Sequence, residues 1–148
     1  MKIAIKRLEH GEGLPLPQYA TSGSAGMDLF AATEKEIVLQ PGAIAAIPTG
    51  IAIALPSGWE AQLRPRSGMA LKFGVTVLNA PGTIDSDYRG EIKAILVNHG
   101  AESFKVSRGT KVAQLVIAAH ARVEWMESDN LDSTERADSG FGSTGLRL

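Results

Sequence analysis

The chain has 148 residues, of which 44% are hydrophobic and 21% charged, with a formal net charge of −1. That is one domain's worth of sequence, long enough to bury about 70% of its unfolded surface, and its interspersed charges offer no electrostatic footprint for duplex nucleic acid or an anionic membrane. There is no cysteine, which excludes disulfides and thiolate metal sites and suits a reducing compartment.

Met1 to His10 carries lysines but no apolar h-region, so no secretory signal is read. The most apolar run, Ala43 to Leu55, is interrupted at Pro48-Thr49-Gly50 and is too short to span a bilayer. A soluble, cytoplasmic protein with neither nucleic-acid nor membrane partners is expected.

Lys2 to Leu8 alternates polar and apolar residues and predicts a half-buried strand. Glu12 to Tyr19, with Leu-Pro-Leu-Pro, cannot be an interior strand or helix. Ala25 to Phe30 is an apolar approach to one isolated acid, Asp28. Residues 36–39 and 43–55 read as strands punctuated at Pro41-Gly42 and Pro48-Thr49-Gly50, and Pro56-Ser57-Gly58 leads into a strand at Trp59 to Arg64. Short strands with Pro/Gly turns every eight to twelve residues predict an antiparallel sandwich or barrel. One short helix is predicted, over Ser67 to Phe73, stopped at Gly74.

Arg64-Pro65-Arg66-Ser67-Gly68, at the start of that helix, forms a plausible anion site: guanidinium forks, a hydroxyl and unpaired N–H groups. Residues 75–92 follow, with alternation into Asn79, a turn at Asn79-Ala80-Pro81-Gly82, and alternation again from Glu91. This is hairpin chemistry. Inside it stand Asp85, Asp87, Tyr88 and Arg89, more polar chemistry than a turn requires. Lys93 lies on the outgoing strand. Gln114 is the one amide in an apolar strand, Val112 to Ile117, where it faces either solvent or a ligand. His10, His99 and His120 lack metal-ligand spacing and read as surface or edge residues.

From Ser128 the aliphatic residues almost vanish, and Arg136 to Gly145 is rich in Gly, Ser and Asp around a lone Phe141. Such a tail cannot order itself. Either it is a flexible terminus, or it is a lid that closes on an anionic, planar ligand.

Five segments together resemble the homotrimeric dUTPase family: Ala25 to Leu29, Arg66 to Ala70, Asn79 through Gly82-Thr83-Ile84-Asp85-Ser86-Asp87-Tyr88-Arg89-Gly90-Glu91, Arg108 to Gln114, and Arg136 to Gly145. They occur in order and span nearly the whole chain. One departure is Ala137, where the family's last motif has glycine after arginine; glycine permits positive φ where alanine resists it.

The resemblance implies an all-β, distorted antiparallel jelly-roll-like (β-clip) domain with one short helix. It implies a core over 1–128, a flexible lid over 129–148, and a homotrimer with active sites shared between subunits. The implied reaction is hydrolysis of dUTP to dUMP and pyrophosphate, limiting uracil incorporation into DNA and supplying dUMP for thymidylate synthesis. Asp85 would be the general base for water attack on the α-phosphate. Mg²⁺ would sit on the substrate phosphates without direct side-chain ligands, with Asp28 supporting it through water or through the arginine network.

Arg66, Ser67, Gly68 and Gln114 would bind phosphate oxygens. Asn79 and the backbone at Gly82, Thr83 and Ile84 would read uracil. Tyr88 would pack under the deoxyribose and exclude a 2′-hydroxyl, with Lys93 lining the same hairpin. From the tail, Phe141 would stack on uracil while Arg136, Gly142, Ser143 and Thr144 close over the phosphates. Two rival classes are a deoxycytidine triphosphate deaminase of related fold and a trimeric β protein that only binds nucleotides. The complete tail motif around Phe141 argues against the first.

Overall fold

The structure, a computed structural model, describes residues 1–140. Eleven strands and one α-helix follow one another along these residues. They are β1 (Ala4–Arg7), β2 (Gly26–Phe30), β3 (Ile37–Leu39), β4 (Ile44–Pro48), β5 (Ile51–Ala54), β6 (Trp59–Arg64), α1 (Ser67–Phe73), β7 (Val75–Val77), β8 (Gly82–Ile84), β9 (Lys93–Asn98), β10 (Phe104–Val106) and β11 (Lys111–Ala119). No helix among them is long and apolar enough to cross a membrane.

The strands form four antiparallel sheets: β2-β11-β6-β8, β4-β9-β7, β1-β5 and β10-β3. The all-β architecture with one short helix follows from the turn punctuation, which leaves no room for a sustained helical period. Inward side chains of the larger sheets meet in a single core that includes Leu29, Leu39, Ile47, Leu63, Val75, Leu96, Val112 and Leu115. Asn98 is wholly buried, and its amide is fully engaged. It donates to Leu39 O (2.9 Å) and Glu102 O (2.8 Å) and accepts from Gly100 N (2.8 Å), tying β9 to β3 and to the following turn.

The predicted helix runs over Ser67–Phe73, burying Met69 and ending at Gly74. Gly74 has φ +68°, and its N–H donates to Ala70 O at 3.0 Å. A Cβ at Gly74 would stand 2.6 Å from Gly100 N, so both backbone angle and space require glycine there.

Two expectations differ. β1 is exposed along its whole length rather than half-buried. Its one partner is β5, in a two-stranded ribbon, and only Ile3, just outside it, packs on the core. The second difference concerns the Asn79-Ala80-Pro81-Gly82 turn, which does not close a tight hairpin. The strand before it, β7, pairs with β9 (Val75 opposite Asn98), while β8 after the turn leaves for another sheet and pairs with β6 (Gly82 opposite Leu63). The turn, with a cis Ala80–Pro81 bond, hands the chain from one sheet to the other.

Candidate active site

Three neighbouring strands bring the first group of predicted residues together. Gln114 on β11 lies opposite Asp28 on β2 and opposite Arg64 on β6. It is half-buried, and its side chain lies over Gly26, where a Cβ would come within 3.4 Å of Gln114 Oε1. A side chain at position 26 would meet the Gln114 amide at ordinary contact distance, so the two positions lie directly against each other.

Asp28 is enclosed by cations. Its Oδ1 accepts from Arg66 Nε at 3.0 Å, and its Oδ2 is 2.9 Å from Lys111 Nζ. Burial opposes the charge on Asp28, but Lys111 and Arg66 outweigh it and hold the carboxyl below its ordinary value of 3.8. Arg66 is thereby fixed at the entrance of α1, beside the exposed Ser67 and Gly68. A cavity of about 480 Å³ opens here, lined by Arg66, Gly68, Lys72, Phe73, Phe104 and Lys111 among others. Arg64 has turned away: its Nε and a terminal nitrogen donate to Gln62 Oε1 at 3.0 and 2.6 Å. Of the two guanidiniums in the sequence motif, only Arg66 joins this group.

The second group lies elsewhere on the same sheet. Asp85 follows β8 directly. Ile84 pairs with Ala61, three residues before Arg64 on β6, so Asp85 stands about 13 Å along the strand from the Arg64 end. Its carboxylate is exposed and makes no hydrogen bond or ion pair among the described residues. A cavity of about 320 Å³ beside it is lined by Thr83, Ile84, Asp85, Tyr88, Glu91, Ile92 and Lys93, together with Ala46 and Ile95. Asn79 leans over Gly82, where a Cβ would be 3.1 Å from its Nδ2.

The loop from Asp85 to Glu91 is held from within. Tyr88 N–H donates to Asp85 O (3.2 Å), and one Arg89 nitrogen donates to Ser86 O (2.7 Å) and Tyr88 O (2.9 Å). The Tyr88 hydroxyl donates to Glu91 O at 3.0 Å. A methyl at Gly90 would collide with the Tyr88 ring, so the phenol's course across the loop depends on that glycine.

Sequence reasoning gave Glu91 no role and left His10 at the surface. In the structure Glu91 Oε1 is 2.6 Å from His10 Nε2 and accepts from Gly50 N at 2.9 Å, and Lys93 Nζ is 3.7 Å from Oε2. Burial would raise the Glu91 carboxyl, yet His10 and the Gly50 N–H outweigh it and hold it below 4.5. The two residues are 81 apart in the chain, and no local pattern carries that information.

Residues 121–136 are exposed and have no regular structure. Arg136 Nε donates to Ser139 O (3.0 Å) across a small turn, and Ala137 within it has φ +46°. The predicted tail contacts Phe141, Gly142, Ser143 and Thr144 lie outside the described residues. Among the described residues no three carboxylates or imidazoles converge on a metal position.

The sequence and the fold have counterparts among known proteins. The dUTPase family model matches residues 12–145. The deoxyuridine 5'-triphosphate nucleotidohydrolases of Anaplasma marginale (strain St. Maries) and Rickettsia massiliae (strain Mtu5) are each 57% identical to this chain, covering 98% of it and 99% and 97% of themselves. In fold, the chain is similar to a Staphylococcus bacteriophage 80alpha dUTPase G164S mutant solved with dUpNHpp. The TM-score is 0.87 at 25% identity, over 98% of this chain and 99% of that one. The chain belongs to the dUTPase family. It is a hydrolase of nucleotide metabolism, a dUTP diphosphatase.

Proposed function

We propose that this chain hydrolyses dUTP to dUMP and pyrophosphate with Asp85 as general base, in sites that two or more subunits of a homotrimer complete. The observation that carries the reading is the exposed Asp85 carboxylate, unpaired among the described residues, at the wall of a cavity shared with Tyr88 and Lys93. A carboxylate with no ion pair among the described residues can take a proton, whereas Asp28, held between Arg66 and Lys111, is committed to positioning.

Asn79, with the backbone at Gly82, Thr83 and Ile84, reads the uracil edge. The Tyr88 ring lies under the deoxyribose and leaves no space for a 2′-hydroxyl, and Lys93 lines the same wall. Arg66, Ser67, Gly68 and Gln114 bind phosphate oxygens. Asp85 takes a proton from a water as its oxygen bonds to the α-phosphorus, and the bond to the bridging oxygen breaks to release pyrophosphate. Mg²⁺ would be held through phosphate oxygens and water, which suits an ion that retains waters readily and a site where, among the described residues, no cluster of side-chain ligands converges. When bound, it neutralises charge on the triphosphate.

The phosphate-side residues and the Asp85 cavity share no lining residue, and about 13 Å of strand separates them. That separation supports a site built from different subunits. So does the segment after β11, which exposes Val123, Trp125, Met126 and Leu131, apolar surface that calls for a partner. Residues 129–148 then act as a lid on the 1–128 core, with Phe141 stacking on the base and Arg136, Gly142, Ser143 and Thr144 over the phosphates. A cytoplasmic location suits the cysteine-free sequence and a nucleotide substrate. There the reaction limits uracil in DNA and supplies dUMP for thymidylate synthesis.

The test is pyrophosphate release from dUTP, dCTP, UTP and dTTP compared side by side. The expected result is strong preference for dUTP, with turnover falling about 10²-fold or more in Asp85→Asn. Ammonia released from dCTP would point instead to a deaminase, and binding without turnover to a carrier.

A further inference from the structure

The N-terminal turn Glu9–Gly11 reaches the end of the Asp85–Glu91 loop through the His10–Glu91 contact, and nothing in the reaction described above uses it. It is fastened on its far side by Arg108, whose two terminal nitrogens donate to His10 O (2.8 Å) and Glu12 O (2.6 Å). Arg7 adds a bond to Gly11 O at 3.1 Å. On its near side Leu8 N–H donates to Gly50 O at 2.8 Å. Gly11 lies so close to Gly50 that a methyl on either would strike the other's backbone. The turn is thus held in place by two arginines and pressed onto the strand connection at Gly50.

From this support the His10 ring reaches Glu91 Oε1 (2.6 Å), the same oxygen that accepts from Gly50 N (2.9 Å). Residue 92 is secured beside it: Thr49 Oγ1 donates to Ile92 O (2.6 Å), and Ile92 N–H donates to Ile51 O (2.9 Å). Glu91 is largely enclosed, its side chain only 13% exposed. Its main-chain carbonyl is the acceptor of the Tyr88 hydroxyl. One continuous path therefore runs from Arg108 through the turn and His10 to Glu91 and on to the phenol. Lys93 Nζ, 3.7 Å from the other Glu91 oxygen, is the remaining charged group facing this carboxylate among the described residues.

We infer that His10 is a positioning residue for sugar selection: through Glu91 it immobilises the carbonyl that holds Tyr88, so that the phenol cannot yield to a 2′-hydroxyl. This rests on the proposed role of Tyr88. A hydrogen bond to a charged group is stronger and more directional than a neutral one, and a steric filter rejects only as firmly as its wall is held. His10 touches no substrate; its contribution is the stiffness of the wall.

The experiment compares kcat/KM for dUTP and UTP in His10→Ala, His10→Gln, Arg108→Ala and Tyr88→Ala, with thermal unfolding followed in parallel. His10→Ala is expected to narrow the dUTP/UTP ratio at least fivefold, chiefly by improving relative turnover of UTP. His10→Gln, which keeps a donor for Glu91, should stay within twofold of the parent protein. Arg108→Ala loosens the same turn without touching the loop and should narrow the ratio in the same direction; should His10→Ala fail to fold, it decides alone. A purely structural role would lower both kcat/KM values together and leave the ratio unmoved. If Tyr88→Ala narrows the ratio but neither His10→Ala nor Arg108→Ala does, the clamp is overturned and the Tyr88 reading stands. If Tyr88→Ala itself leaves the ratio unchanged, the sugar role of Tyr88 falls, and the clamp with it.

Discussion

Arg66 Nε donates to Asp28 Oδ1 at 3.0 Å, so the guanidinium that opens α1 is oriented by an acid 38 residues earlier, on β2. Lys111 takes the other oxygen at 2.9 Å. Replacing Asp28 by Asn keeps the shape but removes the charge that aligns both cations. A charge-assisted hydrogen bond contributes about 1.5–3 kcal/mol, so kcat/KM on dUTP should fall roughly 10- to 100-fold with the fold retained. The pH dependence has a definite sign. The Asp28 carboxyl is depressed in the folded protein, so its stabilising contribution is present above its ordinary 3.8 and is lost as pH falls through the lower folded-state value. Urea unfolding of wild type and Asp28→Asn should therefore diverge above pH 4 and converge in stronger acid. A stability difference independent of pH would show that the ion pair is not its source.

Asp85→Asn tests the base itself. The carboxylate is exposed and has no partner among the described residues, so the amide should fit without rearrangement. Substrate affinity should survive, while kcat drops by about 10²-fold or more through loss of the proton acceptor. Isothermal titration with a non-hydrolysable dUTP analogue separates the two effects. Near-normal turnover in the folded variant would move the base role to another acid, Asp87 first.

Where the chain's own chemistry is local, the sequence was readable to the residue. Helix formers between Arg66 and Gly74 define α1, because nucleation, burial of Met69 and the positive-φ stop all lie within eight positions. Alternation likewise located most strands, but it says nothing about which strand pairs with which. Asn79-Ala80-Pro81-Gly82 looks like a hairpin closure because its turn chemistry is the same whether the next strand returns or departs. Here it departs, and β7 meets β9 across a connection containing all of β8. Exposure of β1 depends on β5 alone covering it, again a pairing fact. His10 and Glu91 make their contact through folding alone, and Gly90 matters only for the Tyr88 ring that lies over it.

The separation of Asp85 from Arg66 along the sheet makes subunit complementation a direct test of shared sites. Asp85→Asn and Arg66→Ala should each be nearly inactive as pure trimers. Co-expressed in equal amounts and assembled at random, three quarters of the trimers are mixed. By cyclic symmetry each mixed trimer has one site in three with both residues intact, giving about a quarter of wild-type activity. Activity no higher than the sum of the two parents would mean that each subunit carries a complete site.

Removal of everything after Ser133 should separate lid from fold. The described part of that segment is exposed and packs on nothing in the core, so the melting temperature should change little. Phe141 and Arg136 would be lost with it. Base stacking of the order of 1–3 kcal/mol and a charge-assisted phosphate contact together predict a fall in kcat/KM of several orders of magnitude. A truncated enzyme with close to full-length turnover would make the tail idle.

Ala137 offers a finer test of the same lid. It holds φ +46°, in the left-handed region, where the family's motif has glycine. Its N–H is kept there by Thr134, with the carbonyl and the hydroxyl oxygen each at 3.1 Å, while Arg136 bridges to Ser139 O. For an L-residue with a Cβ this conformation costs roughly 1–2 kcal/mol. Glycine removes that strain but brings about 0.5–1 kcal/mol of extra chain entropy to be lost when the lid orders. The two effects oppose, and the strain term is the larger. If the open tail samples other conformations and this turn is fixed only as the lid closes, Ala137→Gly gains a net few tenths to about 1 kcal/mol, a rise of up to roughly fivefold in kcat/KM for dUTP, with the melting temperature unchanged. Because the gain lies in closing, it should appear mainly as a lower KM. Pre-steady-state kinetics with a fluorescent dUTP analogue would follow closure itself, and closure should become more favourable in the variant. A fall in kcat/KM on introducing glycine would show that entropy outweighs strain at this position, or that Ala137 leaves the left-handed region when the lid shuts.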